Sequence, residues 1–167
     1  MLIYNPIYDL FHYTFRQLQI LHHVQSEIQI EKMRILDFYL TFPSEIVRIR
    51  LPKEAQSFRK YLRELENPYD LLLDKKRLFL KMEPYQVSAS NFLSSLGLIE
   101  SNLLEEGLIK KTSFYLPEEL MSQIELRNKQ NAQIINIITQ ILMKINLNGP
   151  DGLKARTNLM EHKYDLL

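Results

Sequence analysis

The chain has no cysteine and only four glycines in 167 residues. Without cysteine there is no disulfide, no thiol nucleophile and no thiolate metal site, a composition that suits the cytoplasm. So few glycines disfavour a Gly-rich phosphate loop and tight β-hairpins. No run of about 20 apolar residues occurs, so no transmembrane span is expected. The N-terminus lacks a charged stretch followed by an apolar core, so no secretory signal is read there. What is present is ordinary for a globular chain: 46% hydrophobic and 25% charged residues, enough for one domain with a core, or a domain with an appendage. Net charge is +1 but uneven. Residues 48–81 carry ten Lys/Arg against five Asp/Glu, a local +5, which leaves −4 on the rest.

The last third organises the chain. The spacing of Leu120, Ile124, Ile134, Ile135, Ile138, Ile141, Leu142 and Ile145 predicts one long helix over 117–146. Pro117 suits its first turn, and Glu118 and Glu119 suit its positive end. Its middle is polar and its C-terminal half apolar on more than one side, so that half must be buried or covered by a partner. Gly149-Pro150 stops it. In the tail, 147–167, the apolar Leu153, Leu159, Met160 and Tyr164 either fold back on the core or dock on another chain. Gly152-Leu153-Lys154 and Thr157 do not make a phosphate-loop pattern.

At the other end, Asn5-Pro6 reads as a helix cap and first position. Ile7, Phe11, Phe15, Leu18 and Leu21 line one face through about His23, and Tyr8, His12 and Arg16 share another. Ser26 and Gln29 resemble a capping box for a second helix. Its wide stripe of Met33, Ile35, Leu36, Phe38, Tyr39, Leu40 and Phe42 makes it the core helix, ended by Pro43. Residues 46–51 read as extended. Pro52 opens a helix to about Leu65, burying Ala55, Phe58, Leu62 and Leu65 beside a basic stripe. Asp74 caps a short helix to about Met82, and Pro84 opens another that stops at Gly97. Leu98-Ile99 and 107–115 are strand-like around a helical turn at 101–106. Two short helices and two short strands behind a core helix follow the order of a winged helix-turn-helix. The expected fold is therefore mainly α (α+β). A single domain, 1–146, holds an N-terminal helical pair, a winged-helix-like centre with a small β-wing (about 31–115) and the long helix, with 147–167 as a docking tail.

Candidate sites follow from this frame. A recognition helix over 84–96 would present Gln86, Ser88, Ser90, Asn91, Ser94 and Ser95. It has no Lys or Arg, and Glu83 precedes it, which is poor chemistry for phosphate but leaves Gln and Asn to read adenine. The same surface suits protein docking. Arg59, Lys60 and Arg63, with Lys75, Lys76 and Arg77 and the nearby Arg48, Arg50 and Lys81, are the better electrostatic candidate. They suit a nucleic-acid backbone without sequence preference, an acidic partner, or simply solvent. Among His12, His22, His23 and His162, the pairs Asp9–His12 and His23–Glu27 have helical spacing, but neither has a third ligand, and a helix boundary separates the second. No catalytic residue, metal or cofactor is assigned. For partner binding, Tyr8, His12 and Arg16 lie at i, i+4 and i+8, and the tail offers Asn148, Lys154 and Arg156.

Several motifs together carry a family resemblance. They are Tyr4-Asn5-Pro6 with Tyr8-Asp9, His12 and Phe15-Arg16; Arg34-Ile35-Leu36-Asp37-Phe38-Tyr39 with Phe42-Pro43; Asn67-Pro68-Tyr69; Met82-Glu83-Pro84; and Leu147-Asn148-Gly149-Pro150-Asp151-Gly152-Leu153-Lys154-Ala155-Arg156-Thr157 with Glu161 and Tyr164. The chain resembles the middle component of bacterial three-component ABC-type conflict systems, the group that includes the Lamassu anti-phage systems. The resemblance implies a small, non-catalytic accessory or scaffold subunit. Its partners would be a coiled-coil ATPase similar to the chromosome-maintenance (SMC) and double-strand-break-repair ATPases, and an effector that is often a nuclease. The ATPase would sense foreign or aberrant DNA, with non-specific DNA contact inside the complex, and no membrane would be involved. Two rival readings come from the residues: a winged-helix DNA-binding transcriptional regulator using 84–96, and a small effector enzyme.

Overall fold

A computed structural model describes residues 6–68 and 74–161. The expected cap at Asn5, the motif residue Tyr69, and His162 and Tyr164 of the tail lie outside the described residues. Pro6–Tyr8 forms a 3-10 turn. Helix α1 (Leu10–Leu21) then starts one turn later than expected, because Asp9 caps it: its carboxylate accepts from Phe11 N at 2.8 Å. Strand β1 (Ile28–Gln29) leads straight into helix α2 (Ile30–Thr41). The capping box expected at Ser26 does not form; Gln29 is the cap residue, without a side-chain bond. Met33 to Tyr39 are all buried, so α2 is enclosed on every side, as its wide apolar stripe implied. Phe42, ahead of Pro43, leaves the helical region and ends α2.

Residues 46–51 are not a strand. Pro43–Arg48 is a 3-10 helix, with Ile49 extended after it, and Lys53–Phe58 is another, running into helix α3 (Arg59–Glu64). The largest departure follows. The two short helices expected on either side of Pro84 are one helix, α4 (Lys75–Ser95), capped by Asp74 through Arg77 N. A proline inside a helix costs about 3 kcal/mol. Here Pro84 and Leu80, whose carbonyl loses its helical donor, both lie on the exposed side, where water can serve that carbonyl. The helix-turn-helix corner expected at Pro84 is therefore absent. Gly97, at φ +73°, closes α4: its own N–H bonds Ser94 O and that of Leu98 bonds Leu93 O.

Helix α5 (Ser101–Glu105) and strand β2 (Leu108–Ile109) come next. β2 runs antiparallel to β1 with Ile28 opposite Ile109, and an isolated bridge joins Ile99 to Lys111. The long C-terminal helix is broken. Helix α6 (Glu118–Gln130) stops at Asn131, whose side-chain amide and backbone N–H both turn back to Arg127 O. Helix α7 (Ala132–Asn136) leads into a π turn, Ile137–Ile141, and a 3-10 turn, Leu142–Lys144. The apolar spacing was read correctly, but Ile134, Ile135, Ile137, Ile138 and Thr139 are β-branched and poor helix formers, and Thr139 Oγ1 bonds back to Ile135 O at 2.7 Å.

The tail is core. Leu147, Leu153 and Leu159 are buried in the same apolar cluster as α2. Helix α8 (Leu153–Thr157) ends at Asn158 in the left-handed region. Gly152 is obligatory, since a Cβ there would sit 2.2 Å from Asn148 O.

Candidate interaction surfaces

Helices α1, α2 and α4 meet across polar side chains. Asp37 of α2, fully buried, accepts from Arg16 Nε at 2.6 Å and from Gln86 Nε2 at 2.8 Å. Gln86 also donates to Arg34 O, and its Oε1 accepts from Arg34 Nε. Because Arg34 O is a backbone carbonyl, it fixes which end of the Gln86 amide is nitrogen. Arg34 Nη2 pairs with Glu83 at 2.9 Å, and its guanidinium lies over the Phe79 ring. Burial lowers the pKa of Arg34, and Glu83 opposes that shift. Gln17 of α1 donates to Gln86 O and accepts from Ser90 Oγ. The phenol of Tyr13 donates to Ile7 O; burial first, then Asp37, pushes its pKa up. Every member is paired, so the seam is rigid rather than costly.

This geometry relocates several sequence-predicted residues. Gln86 and Ser90 are fully buried and read nothing outside, while Ser88, Asn91 and Ser95 are exposed. Arg16 belongs to the seam. Tyr8 is 54% exposed, edge-on to Tyr85, and His12 is half-buried against Phe11. In the tail, Lys154 is buried and pairs with Glu31 at 3.3 Å. Arg156 bonds Arg50 O and Asp151 O, and Arg50 returns to Pro150 O and Asp151. The tail cations thus hold the chain to itself, and Asn148 alone of that trio is exposed.

On the outer side of the same helices lies an apolar groove of about 360 Å³. Leu10, Phe11, Phe15 and Leu18 of α1 form one wall, and Phe92 of α4 with Leu96 just past its end the other, with Leu98 and Leu120 closing it. Phe11 is 63% exposed, Phe92 46% and Leu96 48%. A second depression, of about 330 Å³, shares Leu18 and Leu98 and continues the track to Phe114 and Tyr115, the latter 89% exposed. Contiguous exposed aromatic and leucine side chains are uncommon on a chain that works alone and are characteristic of interaction surfaces.

Residues 2–165 match the family of the ABC-three component (ABC-3C) system Middle Component 5. The chain belongs to that family. No curated protein and no solved structure matches it. The resemblance read from the Asn5-Pro6 and Asn148-Gly149-Pro150 motifs is thereby borne out at the level of the middle component. A Middle Component 5 chain is one part of a three-component system, so its exposed surfaces are where other chains are to be sought.

Two further features of this middle component are a set of exposed cations and a polar contact between α1 and α6. Lys60, Arg63, Lys76 and Arg77 are exposed and form no ion pair among the described residues, Lys75 is half-buried, and Arg59 bonds Gln56. Arg48 and Arg50, counted with them in the sequence, pair instead with Glu45 and Glu66 and with Asp151. Near the end of α1, Asn128 of α6 donates to Gln19 O and accepts from Gln19 Nε2. That carbonyl fixes the amide, so the remaining N–H faces His23 Nε2, which must accept and is unprotonated. Burial, then His22 and Lys111, lowers the pKa of His23 in the same sense. Among the described residues no three His, Cys, Asp or Glu cluster as a metal site would need, and no helix is long and apolar enough to cross a membrane. Helical spacing alone places Phe11, Phe15, Phe92 and Leu96 on inward stripes, which hides the groove. The available signal was that α1 is apolar on more than one side.

Proposed function

We propose that this chain is the non-catalytic accessory subunit through which a Lamassu-like defence system joins an SMC-like coiled-coil ATPase to an effector, such as a nuclease. The observation that carries this reading is the match of nearly the whole chain to a middle-component family. The exposed apolar track beside α1 and α4 supports it, since such a surface gives partner chains a place to dock. Tyr8 and His12 border that surface in sequence and remain candidate contacts, and Asn148 is a separate one. Arg16, Lys154 and Arg156 act within the chain and are withdrawn from that role.

The test is co-expression with the two neighbouring components. The chain is expected to co-purify with both, and the reading fails if they assemble equally well without it. A second role is favoured by the exposed Lys60, Arg63, Lys76 and Arg77: contact with a DNA backbone inside the complex. It predicts weak, salt-steep, sequence-independent binding. Tight, sequence-dependent binding by the isolated chain would restore the transcriptional-regulator reading, although Gln86 and Ser90 are no longer available to it.

A further inference from the structure

We infer that the groove between α1, the end of α4 and the start of α6 receives an amphipathic helix from another component of the system, with a basic residue beside its apolar stripe. This deepens the accessory-subunit reading and rests on it. The shape comes first. A volume of about 360 Å³ holds a few side chains rather than a folded surface, and two helices form its walls. Large apolar side chains repeated at i, i+4 and i+7 on a third helix fit such a cleft. The cleft is prepared in advance, because the Gln17–Gln86–Ser90 bonds tie α1 to α4 and fix their spacing. Little ordering cost is then left for binding.

Charge selects the occupant. No Lys or Arg lines the groove. Glu118 and Glu119, both exposed, stand in the first turn of α6 next to the lining residue Leu120. The exposed α4 residues within one helical turn of Phe92 are the neutral Ser88, Asn91 and Ser95. Lys111 lines only the neighbouring depression, so the acidic character is confined to the α6 end. A second copy of this chain meets that rim poorly: in an isologous pair the groove brings no cation to Glu118 and Glu119. A partner helix with Lys or Arg beside its stripe does.

The experiment uses the full chain co-expressed with the other two components. Phe11→Ser with Phe92→Ser should weaken capture of one component by about 30-fold or more, the loss of a hot spot. The thermal midpoint of the isolated variant should stay close to the wild type's. Glu118→Lys with Glu119→Lys should weaken the same capture less, and the loss should shrink as salt rises. Phe92→p-benzoylphenylalanine, irradiated in the complex, should crosslink to that same component, and this readout stands even where the serine variants fold poorly. Wild-type assembly that is unchanged by the variants and gives no crosslink overturns the groove while leaving the accessory role intact. If the wild-type chain fails to join the complex at all, the accessory reading fails first. A crosslink between two copies of this chain, or a wild-type dimer that the serine variants make monomeric, overturns the choice of occupant.

Discussion

Helices α1 and α4 present opposite chemistry on their two sides. Inward, Gln17, Gln86 and Ser90 bond to one another and to Arg34 and Asp37 of α2. Outward, Phe11, Phe92 and Leu96 stand in solvent, with the half-buried Phe15, around an open groove. The pair also buries Tyr13, Ile20, Phe79, Met82 and Leu93 in the core, so what sets it apart is the addition of buried amides within and exposed aromatic side chains without. The difference separates two tasks. A saturated polar seam specifies one spacing and one rotation of the helices, because any slip leaves a buried charge or amide without its partner. The apolar groove gains little from the chain's own folding, and its gain comes when another surface covers it.

The largest loss is expected from a change distant from both sides of the pair. Ending the chain after Leu147 removes Leu153 and Leu159, both buried, along with the Lys154–Glu31 pair. Each lost leucine is worth about 2–5 kcal/mol and a domain's whole stability is about 5–15 kcal/mol, so the truncated chain should not fold. Circular dichroism should then show no cooperative transition. A cooperative melt would mean that the tail is dispensable to the core. The next largest effect lies in the seam itself. Asp37→Ala leaves Arg16 and Gln86 facing an empty buried site, and breaking a buried pair from one side costs about 3–5 kcal/mol. Urea unfolding measures it. A change under about 1 kcal/mol would mean that the seam is not what holds α1 and α4.

Much of this was legible in the sequence, and the failures have physical causes. The core helix α2 was readable because every face of 33–42 is apolar except for two charges, and those charges pair internally. Gly97 and Asp74 were readable because left-handed closure and helix capping have local chemistry. Pro84 misled because a proline usually marks a helix start, whereas here its ring faces solvent and the burial of Phe79, Met82, Gln86 and Ala89 on either side carries the helix through. Arg16, Lys154 and Arg156 misled in a different way. A cation on a helix or in a tail reads as free until its acceptor is known, and the acceptors are distant: Asp37, Glu31 and the backbone of Arg50. The groove was illegible for the same reason. Periodicity reports that a stripe is apolar, not what covers it.

On the outer side, Phe11→Ala should do far less to the isolated chain. With Phe11 63% exposed in the isolated chain, the urea midpoint should move by no more than about 0.5–1 kcal/mol in stability. The same substitution should be felt in complex assembly. If it destabilises the isolated chain as much as Asp37→Ala does, the groove is part of the core and the division of tasks between the two sides is wrong.

The smallest expected effect concerns how α6, which carries Leu120 to the groove, is held on α1. That contact is also polar: Gln19, Asn128 and His23. His23 must accept through Nε2, and its pKa is lowered from the usual 6.5, by burial above all. The sign follows from proton binding. As pH falls through the ordinary histidine value, the unfolded chain takes up a proton that the folded chain still refuses, so stability drops with falling pH. Above that value both states are neutral at His23 and its effect on stability is constant. Part of the ring meets solvent, so the drop should be slight. His23→Gln removes the titration, and comparing urea midpoints of the two chains from about pH 7.5 down to about pH 5 cancels every other shared group. The wild type should lose stability relative to the variant over that range. Parallel curves would show that protonation leaves the Asn128 contact undisturbed, and that α6 is held on α1 by its apolar residues instead.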